Sequence, residues 1–346
     1  DSMPRIDAEE IAMNPVSDAD PVLKVRDAKV HFQVKKTGGL FPKSQTLRAV
    51  DGVSFDLRAG ETLGVVGESG CGKSTLARAV LQLLPEVQGS VSWLGRDLDG
   101  MTKREMTRQR KDLQLVFQDP LASLDPRMTI SASIAEPLKT FRPDLGPSAR
   151  KKLVAEMMEK VGLDVRMINR YPHELSGGQN QRVGIARAMI NNPKLVICDE
   201  AVSALDVSIQ AQIIKLLKEL QSDLGLSMIF ISHDLAVVRE ISHRIMVLYL
   251  GRVVELADRH AIYEAARHPY TQSLISAVPI PDPNLERARA RVKLPGELPS
   301  PLEPGAQLRF LPSKKGQRGY MPELQEVAPN HWVAEHDPIE EILKAG

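Results

Sequence analysis

The segment Gly67–Thr75, which reads Gly-Glu-Ser-Gly-Cys-Gly-Lys-Ser-Thr, constrains this chain more than any other part of its sequence. It follows an apolar run, Leu63–Val66, that is typical of a buried strand, and it leads into the helical pattern Ser74–Leu84. Glycines let successive backbone N–H groups face an anion, and the N-terminus of the following helix adds partial positive charge. The segment therefore predicts a phosphate-binding loop of the Walker A type.

Every residue of this loop is predicted to contribute to nucleotide binding. Lys73 is expected to reach the β- and γ-phosphates, and the hydroxyl of Ser74 is placed to bind Mg²⁺, with Thr75 beside it. The other predicted nucleotide-binding residues of the loop are Gly67, Glu68, Ser69, Gly70, Cys71 and Gly72. The alternative is a glycine turn that happens to precede a helix, and the complete pattern with both flanking elements argues against it.

Two acidic residues end a second apolar run. The run Leu195–Cys198 is followed by Asp199 and Glu200, so both carboxylates fall at the C-terminal end of a predicted strand, where open α/β sheets bind ligands. Asp199 is expected to hold Mg²⁺ through its water shell, and Glu200 to polarise the water that attacks the γ-phosphate. Adjacent acids can also form a solvated turn, but the phosphate-binding loop favours the catalytic interpretation.

Hydrophobic periodicity predicts an α/β fold. Alternating segments within 22–57 predict antiparallel strands, whereas from residue 62 onward short apolar strands alternate with helical patterns, which is typical of a mostly parallel sheet with helices on both faces. Eleven of the chain's 24 prolines fall after residue 278, which leaves little room for regular structure there. The predicted divisions are a flexible leader, 1–20, a nucleotide-binding domain, 21–278, with a helical subdomain at about 119–190, and a Pro-rich C-terminal extension, 279–346.

Composition excludes several classes of protein. The 45 Lys and Arg residues balance 44 Asp and Glu residues, so no overall field attracts nucleic acid or an anionic membrane. Both cysteines, Cys71 and Cys198, lie inside predicted nucleotide motifs, which favours a reducing cytosol over a disulfide framework. No run of 18 apolar residues and no signal peptide is present. We therefore expect a cytoplasmic chain whose contact with a membrane is indirect.

The segment Leu175–Gln179, Leu-Ser-Gly-Gly-Gln, separates this chain from other P-loop proteins. A Ser hydroxyl and two glycine N–H groups at the start of a predicted helix form a second anion cradle, although a helix cap alone would explain Ser-Gly-Gly. With Gln181-Arg-Val-Gly-Ile-Ala-Arg-Ala188 after it, the segment resembles the signature sequence of the ABC ATPase family. The cradle residues are Ser176, Gly177, Gly178 and Gln179.

The resemblance covers residues 22–281 and assigns further roles. Gln118 matches the family's Q-loop glutamine, which contacts Mg²⁺ and the attacking water. Asp206 ends Ser-Ala-Leu-Asp, the D-loop that crosses to a partner subunit, and His233 matches the switch histidine that contacts the γ-phosphate. The implied fold is a P-loop ABC ATPase with a mostly parallel sheet, an antiparallel β-subdomain, a helical subdomain and the C-terminal extension.

The resemblance also implies partners. In that family the phosphate-binding loop of one subunit and the signature segment of another sandwich each ATP, so Lys73 and Ser176 of one chain serve different nucleotides. The segments 199–210, 249–255 and 268–274 resemble the second of the two nonidentical ATPases of oligopeptide/dipeptide importers. This resemblance implies a heterodimer with a second homologous ATPase, two transmembrane permeases contacted through 119–133, an extracytoplasmic solute-binding protein, and a peripheral position on the cytoplasmic face of the inner membrane.

Two departures from that family concern the tail and the adenine. Many relatives carry four cysteines after the Pro295–Pro301 segment, but no cysteine follows Cys198 here, so no iron–sulfur cluster is predicted. His331 and His336 are expected to be exposed surface residues rather than metal ligands. Adenine is usually stacked on an aromatic residue, and Phe41, in an inserted loop, is a weak candidate.

Two other classes of function stay open on the sequence. A soluble ABC ATPase acting on nucleic acid or ribosomes would share the nucleotide motifs, but the chain has neither a second cassette nor a dense basic tract. A small-molecule P-loop kinase would lack the signature segment. The resemblance also implies that the permeases and the binding protein, rather than this chain, select the transported solute.

Overall fold

The computed structural model describes residues 20–35, 44–278, 292, 294, 299–303, 305–317 and 319–345. The strands of this part of the chain are β1 (Leu23–Lys35), β2 (Ser44–Leu57), β3 (Thr62–Val66), β4 (Gln88–Trp93), β5 (Arg96–Asp97), β6 (Leu113–Val116), β7 (Leu195–Asp199), β8 (Ser227–Ile231), β9 (Arg244–Tyr249), β10 (Arg252–Asp258), β11 (Leu324–Ala328) and β12 (His331–Ala334). The α-helices are α1 (Lys73–Val80), α2 (Lys103–Gln109), α3 (Pro120–Ser123), α4 (Ile130–Phe141), α5 (Pro147–Lys160), α6 (Gly177–Met189), α7 (Val207–Leu224), α8 (Leu235–Ile241), α9 (Arg259–Ala265), α10 (Pro269–Ala277) and α11 (Ile339–Ala345).

The larger of two sheets has the strand order β11-β12-β10-β9-β3-β8-β7-β6. Strands β6, β7, β8, β3 and β9 run parallel, and β10, β12 and β11 extend the sheet in antiparallel fashion. The predicted mostly parallel α/β sheet is confirmed. Because β3 lies between β8 and β9, the phosphate-binding loop leaves the middle of the sheet.

Every residue of the parallel strands β3, β7 and β8 is buried because both faces of the sheet are covered there. In β7, Val196 and Cys198 belong to one buried cluster, while Leu195 and Ile197 belong to the other. The first cluster contains apolar residues of α4–α8, and the second contains α1 and the smaller sheet. A strand with no polar face therefore carries its only charged side chain, Asp199, at its C-terminal end.

The smaller sheet has the order β2-β1-β4-β5 and is antiparallel. Its long pairing runs from Leu23 opposite Leu57 to Lys35 opposite Ser44. This confirms the antiparallel strands predicted in 22–57. Strand β4 was not predicted from the sequence.

Helices α3–α6 occupy the interval between β6 and β7. Helix α4 begins after Thr129, whose side chain accepts a hydrogen bond from the backbone of Ala132, and α6 begins after Ser176. The assignment of 119–190 as a separate subdomain stays a prediction. Within the described part of the chain, no helix has the length and apolar character needed to cross a membrane.

The C-terminal part contains more regular structure than its proline content predicts. Strand β12 pairs with β10, so the tail adds two strands to the central sheet, and α11 follows. The expected exposure of His331 was wrong: its side chain is buried, and Nε2 lies 2.7 Å from Oε1 of Glu255. His336 is half-buried rather than exposed. Prolines stand between these elements rather than inside the paired strands, where they would remove a hydrogen bond.

Candidate ATP-binding and hydrolysis site

The phosphate-binding loop connects β3 to α1, as predicted. Glu68, Ser69 and Gly70 are exposed on the rim of the loop, whereas Gly67 and Cys71 are buried beneath it. Helix α1 begins directly after Gly72, so its first turn points its free N–H groups at the loop. An exposed rim above a helix N-terminus leaves room for an anion.

Two glycines of the loop are required by close packing. Gly72 has φ +105°, and a Cβ there would lie 2.0 Å from the carbonyl oxygen of Ala49 in β2. At Gly67 a Cβ would lie 2.3 Å from the carbonyl oxygen of Leu248 in β9. The loop is therefore pressed between the two sheets, and only glycine permits this approach.

Lys73 is buried beneath the loop with its ammonium group bound to the backbone. Nζ donates to the carbonyl oxygens of Gly67 at 2.7 Å and Glu68 at 2.8 Å, and it lies 3.9 Å from Oε1 of Glu200. The ammonium group therefore stands between the loop and the acidic end of β7. A phosphate above the loop would lie within reach of this cation.

Ser74 and Asp199 meet at the site predicted for Mg²⁺. The hydroxyl of Ser74 donates a 2.8 Å hydrogen bond to Oδ1 of Asp199. Burial is the main cause that raises the pKa of Asp199, and the adjacent Glu200 raises it further, while the bond from Ser74 opposes the shift. A hydroxyl and a carboxylate are ligands that Mg²⁺ accepts.

The described side chains do not form a complete metal site by themselves. In the part of the chain that the structure describes, no group of three or more His, Cys, Asp or Glu side chains is arranged to hold a metal ion. This fits Mg²⁺, which usually takes one or two protein ligands and completes its shell with water and substrate phosphates.

Glu200 is the residue on which the predicted catalytic side chains converge. Gln118 donates a 3.0 Å hydrogen bond from Nε2 to Oε2 of Glu200, and Nδ1 of His233 lies 3.6 Å from the same oxygen. Glu200 has φ +48°, an uncommon conformation for a residue with a side chain, and its N–H donates to the carbonyl oxygen of Ile231 in β8. The strained backbone at the strand end directs the carboxylate toward three partners: Lys73, Gln118 and His233.

The signature segment is exposed and separate from these residues. Ser176 accepts a hydrogen bond from the backbone of Gln179, whose side chain accepts one from the backbone of Ser176, so the two form a capping box. Ser176 and Gly177 are exposed, Gly178 and Gln179 are half-buried, and Asp206 is exposed at the start of α7. Among the described residues, no hydrogen bond or ion pair joins these side chains to the loop Gly67–Thr75.

The sequence did not identify one contact of the loop. The N–H of Glu68 donates a 3.1 Å hydrogen bond to the hydroxyl of Tyr270, a buried residue of α10. The sequence places Tyr270 directly after Pro269, a residue favoured at helix starts. It lies in the segment 268–274, which was compared with importer ATPases but was given no role in nucleotide binding. Phe41, the candidate for stacking adenine, lies outside the described residues.

Three features define a nucleotide-hydrolysing cassette. A phosphate-binding loop leaves the central strand β3, an Asp–Glu pair stands at the end of β7 on the far side of β8, and a Ser-Gly-Gly helix start lies apart from both. The chain belongs to the ABC transporter ATP-binding proteins. Residues 50–203 match the ABC transporter family model, and residues 254–313 match the model for the C-terminal region of oligopeptide/dipeptide transporters. Members of this family are ATPases that use ATP, generally with Mg²⁺.

Individual relatives and structures agree with this assignment. The oligopeptide transport ATP-binding protein OppF of Salmonella typhimurium is 58% identical over 294 residues, which cover 84% of this chain and 88% of that protein. OppF of Escherichia coli is 56% identical with the same coverage of both chains. The dimeric ATP-binding cassette MJ0796, bound to ADP and phosphate, has a TM-score of 0.61 and 29% identity and covers 68% of this chain and 98% of its own.

Proposed function

We propose that this chain hydrolyses ATP to drive an ABC importer of dipeptides or oligopeptides. The observation that carries the proposal is the match of residues 254–313 to the C-terminal region of oligopeptide/dipeptide transporters, beyond the residues 50–203 that match the general ABC transporter model. The 58% identity to OppF supports the same solute class.

In the proposed reaction, each named side chain has a defined task. Lys73 holds the β- and γ-phosphates. The hydroxyl of Ser74 and the side-chain oxygen of Gln118 would bind Mg²⁺ directly, and Asp199 would hold it through its water shell. When bound, Mg²⁺ neutralises charge on the phosphate oxygens. Glu200 accepts a proton from the attacking water, and its 3.0 Å bond from Gln118 fixes the carboxylate.

His233 is the proposed contact for the γ-phosphate. Its ring is more than half exposed, and Nδ1 lies 3.6 Å from the Glu200 carboxylate, so a phosphate above the loop would replace water around the imidazole. This arrangement supports a contact that exists with ATP and is lost after hydrolysis, which is the differential interaction that a conformational switch requires.

The proposed active form is a heterodimer with a second homologous ATPase. Ser176, Gly177, Gly178, Gln179 and Asp206 would contact the nucleotide held by the partner. Their exposure, and their lack of contact with the loop of the same chain within the described residues, support this arrangement. A dimeric cassette among the solved structures supports it too.

A groove beside Gln118 is the proposed contact for the permeases. It encloses about 530 Å³ between β6, the residues that follow α1, and helices α2, α4 and α6. Phe117 on its wall and Leu121 beside it are exposed by 44% and 52%, an unusual position for large apolar side chains. A short permease helix would cover them, and Gln118 next to Phe117 would relay its movement to Glu200. The chain then lies peripherally on the cytoplasmic face of the inner membrane, opposite an extracytoplasmic solute-binding protein.

The C-terminal extension carries no iron–sulfur cluster in this proposal. The residues do not fit one, since the full sequence has no cysteine after Cys198. Both cysteines of the chain are free and buried, and burial raises the pKa of the Cys198 thiol to about 12. Neither thiol has the thiolate character of a cluster ligand.

Purification from native membranes in mild detergent, followed by mass spectrometry of the copurifying proteins and bound solutes, tests this function. The proposal requires two permeases, a related ATPase and a solute-binding protein. Recovery of ribosomes or nucleic acid without a membrane protein would overturn the transport function and would leave the ATPase chemistry in place.

A further inference from the structure

The hydroxyl of Tyr270 is the contact through which α10 reaches the phosphate-binding loop. It accepts the 3.1 Å hydrogen bond from the N–H of Glu68, the second residue of the loop. Tyr270 is only 1% exposed, so water cannot take the place of this acceptor. A buried hydrogen bond of this kind fixes the peptide unit that makes it.

The carbonyl group of Glu68 is held by Lys73. The carbonyl oxygen accepts from Nζ of Lys73 at 2.8 Å and from the N–H of Cys71 at 3.3 Å. Tyr270 and Lys73 therefore bind the peptide groups on either side of the Cα of Glu68. Releasing the N–H from Tyr270 would let this part of the loop turn, and Lys73 would lose a fixed partner.

Tyr270 is in turn packed by the C-terminal extension. Phe310, which is buried, lies 5.9 Å from the ring of Tyr270 and 5.0 Å from the rings of Tyr249 and His268, measured between centroids. The rings of Tyr249 and Tyr270 are 5.0 Å apart. A residue of the tail thus closes the aromatic cluster that contains the loop contact.

His331, a second residue of the tail, contacts the group that holds the chain just before Tyr270. Glu255 of β10 is fully buried, and its carboxylate accepts hydrogen bonds from the N–H groups of Arg267 and His268. The same carboxylate meets Nε2 of His331 from β12 at 2.7 Å. His268 then accepts a hydrogen bond from the N–H of Tyr270 at Nδ1. The carboxylate of Glu255 therefore fixes the turn that starts α10, and His331 of the tail binds the same carboxylate.

We infer that Tyr270 is a positioning residue for the phosphate-binding loop and that the C-terminal extension strengthens nucleotide binding by holding Tyr270 through Phe310 and His331. The inference rests on the proposed nucleotide site at Gly67–Thr75 and adds regulation of that site by the tail. Loosening the tail would weaken nucleotide binding without any change in a residue that touches the nucleotide.

Paired Tyr→Phe substitutions in the full chain test the loop contact. Tyr270→Phe keeps the ring and removes the acceptor for Glu68. Tyr249→Phe removes a hydroxyl whose bond to the carbonyl oxygen of Ala306 is long, 3.5 Å, and it keeps the ring contact with Phe310 through which the tail packs on the cluster. Isothermal titration with MgADP should show the Kd raised about 5- to 15-fold by Tyr270→Phe, the effect of one buried hydrogen bond, and raised less than twofold by Tyr249→Phe.

The two possible failures give different results. If both variants bind MgADP as tightly as the unaltered chain, Tyr270 does not position the loop and the inference is wrong. If the unaltered chain itself does not bind MgADP, the proposed nucleotide site is wrong and the inference falls with it. Thermal unfolding midpoints of the two variants should agree within a few degrees, since each loses one hydroxyl from one cluster.

A double-mutant cycle tests the part played by the tail. Phe310→Leu should raise the Kd for MgADP about 2- to 4-fold, while Ile342→Val, a smaller loss of apolar volume in α11, should leave it unchanged. Combined with Tyr270→Phe, Phe310→Leu should add no further loss, because its path to the loop is already broken. Full additivity of the two effects, or an equal effect of Ile342→Val, would overturn the role of the tail.

Discussion

The side chain of Gln118 donates a hydrogen bond to the carboxylate of Glu200 over 3.0 Å, although 82 positions separate the two residues along the chain. Gln118 follows the end of β6 and Glu200 follows the end of the adjacent parallel strand β7. The carboxyl ends of parallel strands share one edge of the sheet, so the fold brings a residue beside the groove proposed for the permeases to the proposed base.

Glu200→Gln should abolish turnover and preserve ATP binding. The amide keeps the shape of the side chain but cannot accept the proton from water, so kcat should fall by about 10²- to 10⁴-fold. Steady-state hydrolysis and equilibrium binding of MgATP should be measured on the same preparation. Hydrolysis at a rate near that of the unaltered chain would rule out Glu200 as the base.

The strand, loop and helix that carry the proposed nucleotide site could be predicted from the sequence because its residues lie in short motifs next to strands. The spacing from Gly67 to Ser74 fixes a loop between a strand and a helix, and the two acids after Cys198 must fall at a strand end. What the sequence alone did not give was the convergence of Gln118 and His233 on Glu200. Gln118 follows β6 and His233 follows β8, and local hydrophobic periodicity does not predict the order of strands in the sheet.

The C-terminal part was predicted less well. Proline content indicated irregular structure, yet β12 pairs with β10 and brings His331 to Glu255. Such contacts join residues 76 positions apart, and short strands like β11 and β12 carry little periodicity. A histidine in a polar tail is therefore expected to be exposed until its long-range partner is known.

Gly72→Ala should destabilise the chain more than the same change at Gly95. Both glycines have positive φ, +105° and +75°, so both variants bear a backbone cost of about 1–2 kcal/mol. At Gly72 the new Cβ also meets the carbonyl oxygen of Ala49 at 2.0 Å, whereas nothing lies within 4 Å at Gly95. We expect about 1–3 kcal/mol of additional loss at Gly72.

Urea unfolding without nucleotide measures this difference directly. The m-value should be the same for both variants, so the shift in midpoint reports stability. Equal midpoints would mean that β2 moves away from the loop at little cost, and that the close packing between the sheets does not require glycine at position 72.

Ser176→Ala should lower hydrolysis far more than stability. Ser176 and Thr102 are both N-cap residues in capping boxes, so replacing either by Ala should cost about 1 kcal/mol of stability. Of these two residues, only Ser176 is proposed to contact the nucleotide of a partner subunit. Loss of that charge-assisted hydrogen bond should reduce kcat about 10- to 100-fold.

Thr102→Ala is the matched control and should keep its activity. Binding of MgATP to the isolated Ser176→Ala chain should also be unchanged, because Lys73 and Ser74 of the same chain remain intact. Weaker binding by the isolated variant would show that Ser176 serves the nucleotide of its own chain, which contradicts the sandwich arrangement.

The buried imidazole of His268 should make the chain less stable in mild acid. Burial is the main cause that lowers the pKa of His268 well below its usual value, and His336 nearby lowers it further. The folded state therefore keeps His268 neutral where the unfolded state already binds a proton. Its contribution to stability is complete above about pH 6.5 and declines as the pH falls from there toward the folded pKa.

His268→Asn isolates this contribution. Asn keeps an acceptor for the N–H of Tyr270, which the imidazole binds at 3.1 Å, but it does not titrate. The variant is expected to be less stable at pH 7.5, since it loses ring contacts with Phe310. Between pH 7.5 and 5.5, however, the unaltered chain should lose about 1 kcal/mol more than the variant, measured by urea unfolding at each pH. The same loss in both proteins would show that His268 is not held neutral by its burial.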